Sequence, residues 1–349
     1  MAKISFQSWQ QTAEFHNPLK NYEIDLQKIE VRLDPLIGHQ SILSESLKEK
    51  ISILFPQTDY AYLQQRIEET KERCFMCDGR WRKSAPRYPD HLLPDGRLER
   101  GEVVLFPNLF PLATYHAVVM MGDKHGRTLD DFPSSLLFDA FSVSLEFIRR
   151  CFDSDPESRF FTININFMPP AGASVVHPHI QIIGSPLPTT HHRLLMEKSL
   201  AYQRETGSCY WLDLIETEKE SGQRWIGETC RTAWFTAFSP SGVNEVNAVW
   251  PHAPHFLDWD DTDIQAMANG VSRTLSTYHD LKFSTFNLSC FGGPLGKNAP
   301  EFRCFLRLIN RQNMTPHYRT DDYYFQKLLR NEIIVHTPEH LASLIKGRF

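Results

Sequence analysis

Two stretches of polar–apolar alternation stand one after the other in the middle of the chain. Phe161-Thr162-Ile163-Asn164-Ile165-Asn166-Phe167 and the run through His177-Pro178-His179-Ile180-Gln181-Ile182-Ile183 place β-branched or aromatic residues at a period of two, as half-buried strands do. Residues two apart share a strand face. Ile180 and Ile182 are therefore expected in a core, and His177, His179 and Gln181 together on the other face. Just before these strands, residues 133–152 repeat Leu137, Phe141, Ser144, Phe147, Ile148 and Cys151 at helical spacing, which predicts an amphipathic helix. Further strands are expected at 102–106, closed by Pro107, and at 116–121. Thr58 reads as the N-cap of a polar helix that runs to Arg73, and Pro35 and Gly38 bracket a turn between two apolar runs in 31–43.

The same order of elements returns later. Strands are expected at 234–238 and 246–250, a helix with an acidic first turn at 262–279, and strands at 284–291 and 302–309. Strand, strand, helix, strand, strand thus occurs twice, at a spacing too long for a solenoid, and predicts a duplicated α+β unit. Where the first copy has His177-Pro178-His179-Ile180-Gln181, the second has Arg303-Cys304-Phe305-Leu306-Arg307. The second copy is expected to keep the scaffold without the histidines. The chain divides into an N-terminal extension with weak helical signals (1–30), a first half (31–190), a connection (191–224) and a second half with C-terminal helices (225–349). In the connection, His191-His192 and the charges from Glu216 to Arg224 read as solvated linker.

Composition narrows the partners. With 349 residues, 41% of them hydrophobic and 23% charged, the chain is an ordinary globular protein with length enough for a sizeable core. A net charge of −5 without a Lys/Arg block argues against a nucleic-acid binder and leaves small anions as ligands. Residues 1–11 lack the apolar core of a signal peptide and no later run suits a membrane span, so a cytoplasmic address is expected. The odd number of cysteines, scattered apart from Cys74 and Cys77, fits a reducing compartment.

The candidate chemistry begins with that pair. Cys74-Phe75-Met76-Cys77 has a spacing at which two thiolates reach one tetrahedral ion, with Zn the default; two buried thiols in a turn is the plainer alternative. Two further ligands are needed: His177 is one candidate, and His125 and His116 compete for the other. His179 suits a nucleophile toward phosphorus, because neutral imidazole is abundant near neutral pH. Gln181 can donate an amide N–H to a phosphate oxygen but has no proton to give as an acid, which favours a leaving group that departs unprotonated. An ordinary exposed strand face is the alternative for both. Gly172 and Ser174 can offer a backbone N–H and a hydroxyl to an anion, or form a plain hairpin turn; Gly292 to Lys297 reads as a flexible connection.

Together these residues resemble the galactose-1-phosphate uridylyltransferase family, the transferase branch of the histidine-triad superfamily. The resemblance rests on Gly172-Ala173-Ser174 before His177-Pro178-His179-Ile180-Gln181, on Cys74-Phe75-Met76-Cys77, on Asp34-Pro35-Leu36-Ile37-Gly38 and on Asp123-Lys124-His125, in order over about 31–310. It implies an α+β fold of duplicated histidine-triad-like units, antiparallel sheets with helices packed on them. It further implies that His179 carries a covalent nucleotidyl group, that Cys74, Cys77, His125 and His177 bind one Zn per chain, and that Asn166, Gly172, Ser174 and Gln181 hold phosphates. Asn108 and Phe110 fall in the family's nucleotide pocket, and a homodimer is implied. Leu109 stands where uridylyltransferases carry an acidic residue, and Ser44, Glu45, Ser46 and Lys48 stand where they carry arginines. The implied reaction moves a nucleoside monophosphate from a nucleoside-diphosphate sugar to a sugar phosphate, in carbohydrate metabolism such as that of galactose. A phosphorylase that uses inorganic phosphate on ADP-glucose or a dinucleoside polyphosphate, and a non-catalytic nucleotide-binding protein, are the alternatives.

Overall fold

The structure, a computed structural model, describes residues 4–44, 46–47 and 51–349. Glu45 and Lys48, at two of the positions lacking arginine, lie outside the described residues, as do Met1 to Lys3.

In chain order the elements are β1 (Gln7–Asn17), β2 (Glu23–Leu33), β3 (Gln40–Ser44), α1 (Tyr60–Lys71), β4 (Leu98–Arg100), β5 (Val103–Pro107), β6 (Tyr115–Met121), α2 (Ser134–Ser154), β7 (Phe160–Phe167) and β8 (His179–Ser185). Then follow α3 (Thr190–Thr206), α4 (Tyr210–Ser221), β9 (Trp225–Thr229), β10 (Thr232–Thr236), β11 (Val243–Val249), α5 (Asp261–Asp280), β12 (Phe286–Phe291), β13 (Phe305–Asn310), β14 (Asn331–Ile333) and α6 (Pro338–Lys346). Shorter helical turns join some of them. The cap of α1 is Asp59, which accepts from the Tyr62 N–H at 3.0 Å, and not Thr58, whose hydroxyl donates to the Lys282 carbonyl.

Among the described residues, ten strands form one antiparallel sheet in the order β4-β5-β6-β8-β7-β12-β13-β11-β10-β9. In chain order each half is the same motif, three meandering strands, a helix and a hairpin, and read outward from the centre of the sheet each side runs hairpin first, then the three strands in reverse. The duplication is thus an internal two-fold, with β7 and β12 paired across it, Asn164 opposite Ser289 and Asn166 opposite Asn287. The alternation read in β7 and β8 sorts the two faces. Ile163, Ile165, Ile180 and Ile182 join a core under α2 and α5, where Phe132, Phe167 and Phe286 meet at the two-fold with ring centroids 5.1–5.9 Å apart. α5 starts at a capping box in which Asp260 accepts from the Thr262 and Asp263 N–H groups and Asp263 answers to the Asp260 N–H.

The opposite face is covered differently in each half. The segment holding Cys74, Cys77 and Trp81 packs over Val104, Phe106, Val118 and Met120. On the second half, α3 lays Leu195 and α4 lays Tyr210, Trp211 and Leu214 over Phe235, Val249 and Phe305. The stretch expected to be solvated linker is therefore a packed helical pair. His192 is buried and bonds the Gly292 carbonyl at 2.7 Å, and Glu218 pairs with Arg224 in the interior at 3.0 Å. Nor is 292–297 a loose connection. Gly293 donates to the Pro254 carbonyl, Leu295 exchanges backbone and side-chain bonds with Arg159, and Leu295 is fully buried.

Among the described residues up to 30, the only helix is a single turn at Pro18–Lys20, and the rest is mostly strand. β1 and β2 form a long antiparallel hairpin, and β2 continues to Leu33 in a second sheet, β1-β2-β3-β14. β1 pairs with β2 alone among the described residues, and Trp9, Phe15, Ile24 and Leu26 are exposed along this arm.

Candidate functional site

Four of the residues singled out by spacing converge. One ligand atom from each of Cys74, Cys77, His125 and His177 lies within 4.8 Å of all the others, and all four residues are buried. The Cys77 sulfur is 3.2 Å from His125 Nδ1 and 3.4 Å from His177 Nδ1. Each imidazole is fixed from its far side. His177 Nε2 donates to the Gly122 carbonyl at 2.7 Å. His125 Nε2 donates to the Thr70 hydroxyl at 2.9 Å, which itself donates to the Arg66 carbonyl. With Nε2 protonated, both rings turn a lone pair on Nδ1 toward the sulfurs, the outer-shell arrangement of metal-binding histidines. Burial, reinforced by Cys74 alongside, pushes the Cys77 thiol up to about 12, and burial brings His177 down to about 4. Two soft sulfurs and two neutral imidazoles at these distances fit a tetrahedral ion such as zinc, so the group qualifies as a metal site. His116, the competitor of His125, is not in it.

His116 has another partner. The Leu112 N–H donates to its Nδ1 at 3.1 Å, so the neutral ring carries its proton on Nε2, which donates to Gln181 Oε1 at 3.0 Å. That bond turns the Gln181 amide so that its NH2 is presented as a donor. Sheet register brings them together: His116 lies on the strand paired with β8, across from Ile183 and two residues along from Val118, which faces Gln181. Asn108 Nδ2 is 3.2 Å from the same His116 nitrogen, and Asn108 Oδ1 accepts from the Phe110 N–H. Asn108 thus adjoins Gln181 through one ring, while Leu109 and Phe110 stand exposed on the loop.

His179 sits at the start of β8, one Pro away from the metal-site His177. Its Nδ1 lies 2.8 Å from the carbonyl of His177, which can only accept, so Nδ1 carries the proton and Nε2 keeps a lone pair. Burial holds this imidazole below the usual histidine range, against the opposing pull of that bond, so the ring is neutral near pH 7. The strand face beside it carries Gln181 and Asn164 as a directly opposed pair. Asn164 donates to the Gln181 carbonyl and the Thr162 hydroxyl. The turn between β7 and β8 has Gly172 at φ +88°, a left-handed conformation that favours glycine, and both Gly172 and Ser174 are exposed.

In the second half the equivalent positions are filled. Ser289, opposite Asn164 across the two-fold, faces Arg307 as Asn164 faces Gln181. Phe305 therefore takes the place of His179, and it is stacked between Phe291 and Trp211 at 5.0 and 4.3 Å. Arg307 takes the place of Gln181 and pairs with Glu245 at 3.3 Å. Aromatic packing and an ion pair thus occupy, in this half, the positions that hold His179 and Gln181 in the other.

No protein-family model matches this chain. An uncharacterized protein of Archaeoglobus fulgidus is 30% identical over 320 residues, 91% of this chain and 92% of that protein. An ADP-glucose phosphorylase from Arabidopsis thaliana, solved with bound ADP-glucose, superposes with a TM-score of 0.69 at 20% identity over 91% of this chain and 98% of that one. A second Arabidopsis protein, described as galt-like, gives 0.67 at 20% identity over 90% and 98%. A uridylyltransferase mutant gives 0.66 at 17% identity over 91% and 97%.

Proposed function

We propose that this chain, which belongs to one protein family with the Archaeoglobus fulgidus relative and has the fold of the galactose-1-phosphate uridylyltransferase branch of the histidine-triad superfamily, is a nucleotidyltransferase. It moves a nucleoside monophosphate from a nucleoside-diphosphate sugar to a sugar phosphate by way of His179. The observation that carries this reading is the His179 ring: neutral, with Nδ1–H spent on its own backbone and Nε2 left unprotonated. In the first half reaction Nε2 attacks the phosphorus that bears the nucleoside. An N–P bond forms, the bond to the bridging oxygen breaks, and sugar 1-phosphate leaves with that oxygen as an anion. Gln181, Asn166, Gly172 and Ser174 offer donors to the phosphate oxygens, and Asn108 and Phe110 border the nucleoside. In the second half reaction an acceptor phosphate oxygen attacks the same phosphorus and His179 leaves unchanged, so ping-pong kinetics follow.

Cys74, Cys77, His125 and His177 would hold one zinc ion, which would cross-link the 74–77 turn to the segments just after β6 and just before β8. With His177 two residues before His179, a metal held there would brace the nucleophile. Metal analysis of protein purified without added metal is expected to give about one zinc per chain, and Cys77→Ser to lose both the metal and thermal stability. Full stability of metal-free wild type would contradict the assignment. The resemblance also leads us to expect a homodimer, read by sedimentation equilibrium.

The reaction is tested by offering ADP-glucose and UDP-glucose with 32P at the phosphorus next to the nucleoside. Label is expected to stay on the wild-type protein and to vanish in His179→Ala. Undiminished turnover in that variant would sink the reading. A phosphorylase with inorganic phosphate as acceptor is the second reading. The hydroxyls of Ser44 and Ser46 bond each other at 2.8 Å where the resemblance calls for arginines that would grip a sugar phosphate. Discharge of labelled protein by inorganic phosphate, compared with glucose 1-phosphate and galactose 1-phosphate, separates the two.

A further inference from the structure

The second half carries Phe305 and Arg307 where the first has His179 and Gln181, yet its side chains reach across the two-fold into the first. Asn287, on β12, faces Asn166 on β7. Arg311 donates to Asn287 Oδ1 at 2.7 Å and is itself clamped by both carboxylate oxygens of Asp321, at 2.6 and 2.9 Å. A guanidinium can only donate, so it forces the amide oxygen of Asn287 toward itself and the NH2 toward the first half. There Asn287 Nδ2 donates twice, to Asn166 Oδ1 at 2.7 Å and to the Ala171 carbonyl at 2.9 Å. Asn166 must then accept with its oxygen and present its own NH2 elsewhere. Ala171 precedes Gly172 in the turn. The neighbouring pair follows the same logic: Ser289 donates to Asn164 Oδ1 at 2.9 Å, while the Asn164 NH2 serves the Gln181 carbonyl.

We propose that Asn287, polarised by Arg311, is a positioning residue through which the second half sets the direction of the Asn166 amide and the seat of the Gly172 turn. The proposal rests on the nucleotidyl-transfer reading, from which Asn166 and Gly172 take their place against phosphate. Its content is a sense of orientation: a donor at Asn287 keeps Asn166 a donor toward the ligand. A carboxylate at that position would still bond Arg311 but could only accept from Asn166, turning the Asn166 NH2 inward and its oxygen toward the anionic ligand.

This makes the isosteric change the more damaging one. In single-turnover labelling of His179 with 32P-labelled ADP-glucose or UDP-glucose, Asn287→Ala is expected to slow labelling about tenfold and Asn287→Asp on the order of a hundredfold. Melting temperatures should rank the other way, because Asn287→Asp keeps the volume and strengthens the pairing with Arg311, whereas Asn287→Ala leaves a gap. In an Asn166→Ala background the two Asn287 variants are expected to label at similar rates. Labelling that follows the melting temperatures, with Asn287→Ala the slower, would reduce Asn287 to a structural bridge and overturn the proposal, as would an undiminished gap between the two variants in the Asn166→Ala background. Wild type that takes label from neither donor overturns the nucleotidyl-transfer reading itself, and the positioning role falls with it. Wild type that labels while Asn287→Asp labels equally fast overturns the positioning role alone.

Discussion

Three imidazoles near one strand are sorted by which nitrogen each spends on a neighbour. His177 gives Nε2–H to the Gly122 carbonyl, His179 gives Nδ1–H to the backbone two residues back, and His116 accepts from the Leu112 N–H and gives Nε2–H to Gln181. The partner is backbone in each of the first two, so the tautomer is set by the fold and not by another titrating group. His116→Phe fills the same space without the donor. It is expected to leave the label on His179 but to slow its arrival about tenfold by freeing the Gln181 amide to rotate, measured in the single-turnover assay. His116→Gln, which keeps an N–H donor, should recover part of the rate. The placement of His179 and Gln181 on one strand face was legible in the period-two pattern, whereas His177, expected on the same strand, lies in the bend just before β8. The role of His116 was not, because its partner is contributed by a strand more than sixty residues away, and spacing along the chain is blind to sheet order.

Elements that pack a core on one side were readable, and those whose burial comes from long-range contacts were not. α2 and α5 carry apolar stripes and lie where the helical period put them, within a few residues at each end. β1 is exposed on both faces for most of its length and so carries no alternation to read. α3 and α4 were hidden for a different reason: among the polar residues that made this stretch look solvated, His192, Glu218 and Arg224 are buried and paired, while Glu216, Lys219 and Glu220 face outward. His192 is brought down to about 4 and His191 to about 3, each mainly by burial. In the unfolded chain both titrate near 6.5. Above that pH both states are neutral and these histidines contribute no pH dependence. Below it the unfolded state takes up protons first, so stability is expected to decline as pH falls from about 6.5 toward 4, by at most about 1.4 kcal/mol per pH unit for each group. Urea midpoints across that range should fall less steeply in His192→Gln, which keeps a donor for the Gly292 carbonyl but has no proton to gain.

At the scale of the molecule, the two halves share one sheet and one layer of helices. Phe167 and Phe286 belong to different halves, yet both are fully buried against Phe132 at the two-fold. Phe286→Ala is expected to cost about 3–5 kcal/mol and to lower a single calorimetric transition. Two separable transitions, with only the second half shifted, would show the halves to be independent folding units. The duplication was visible in the order of elements. That the copies meet edge to edge through β7 and β12 could not be read, because any of several strands could have formed the junction.

The β1–β2 arm has a mechanical consequence. Strands of this length extend roughly 35 Å, and β1 has no neighbour but β2 among the described residues. A lever of that reach raises the frictional drag on the particle when it stands in solvent and adds little when it lies along another surface. Sedimentation velocity therefore senses the posture of the arm apart from the mass of the particle. Removal of the 7–33 hairpin would lower the frictional ratio by more than its mass accounts for only if the arm stands free.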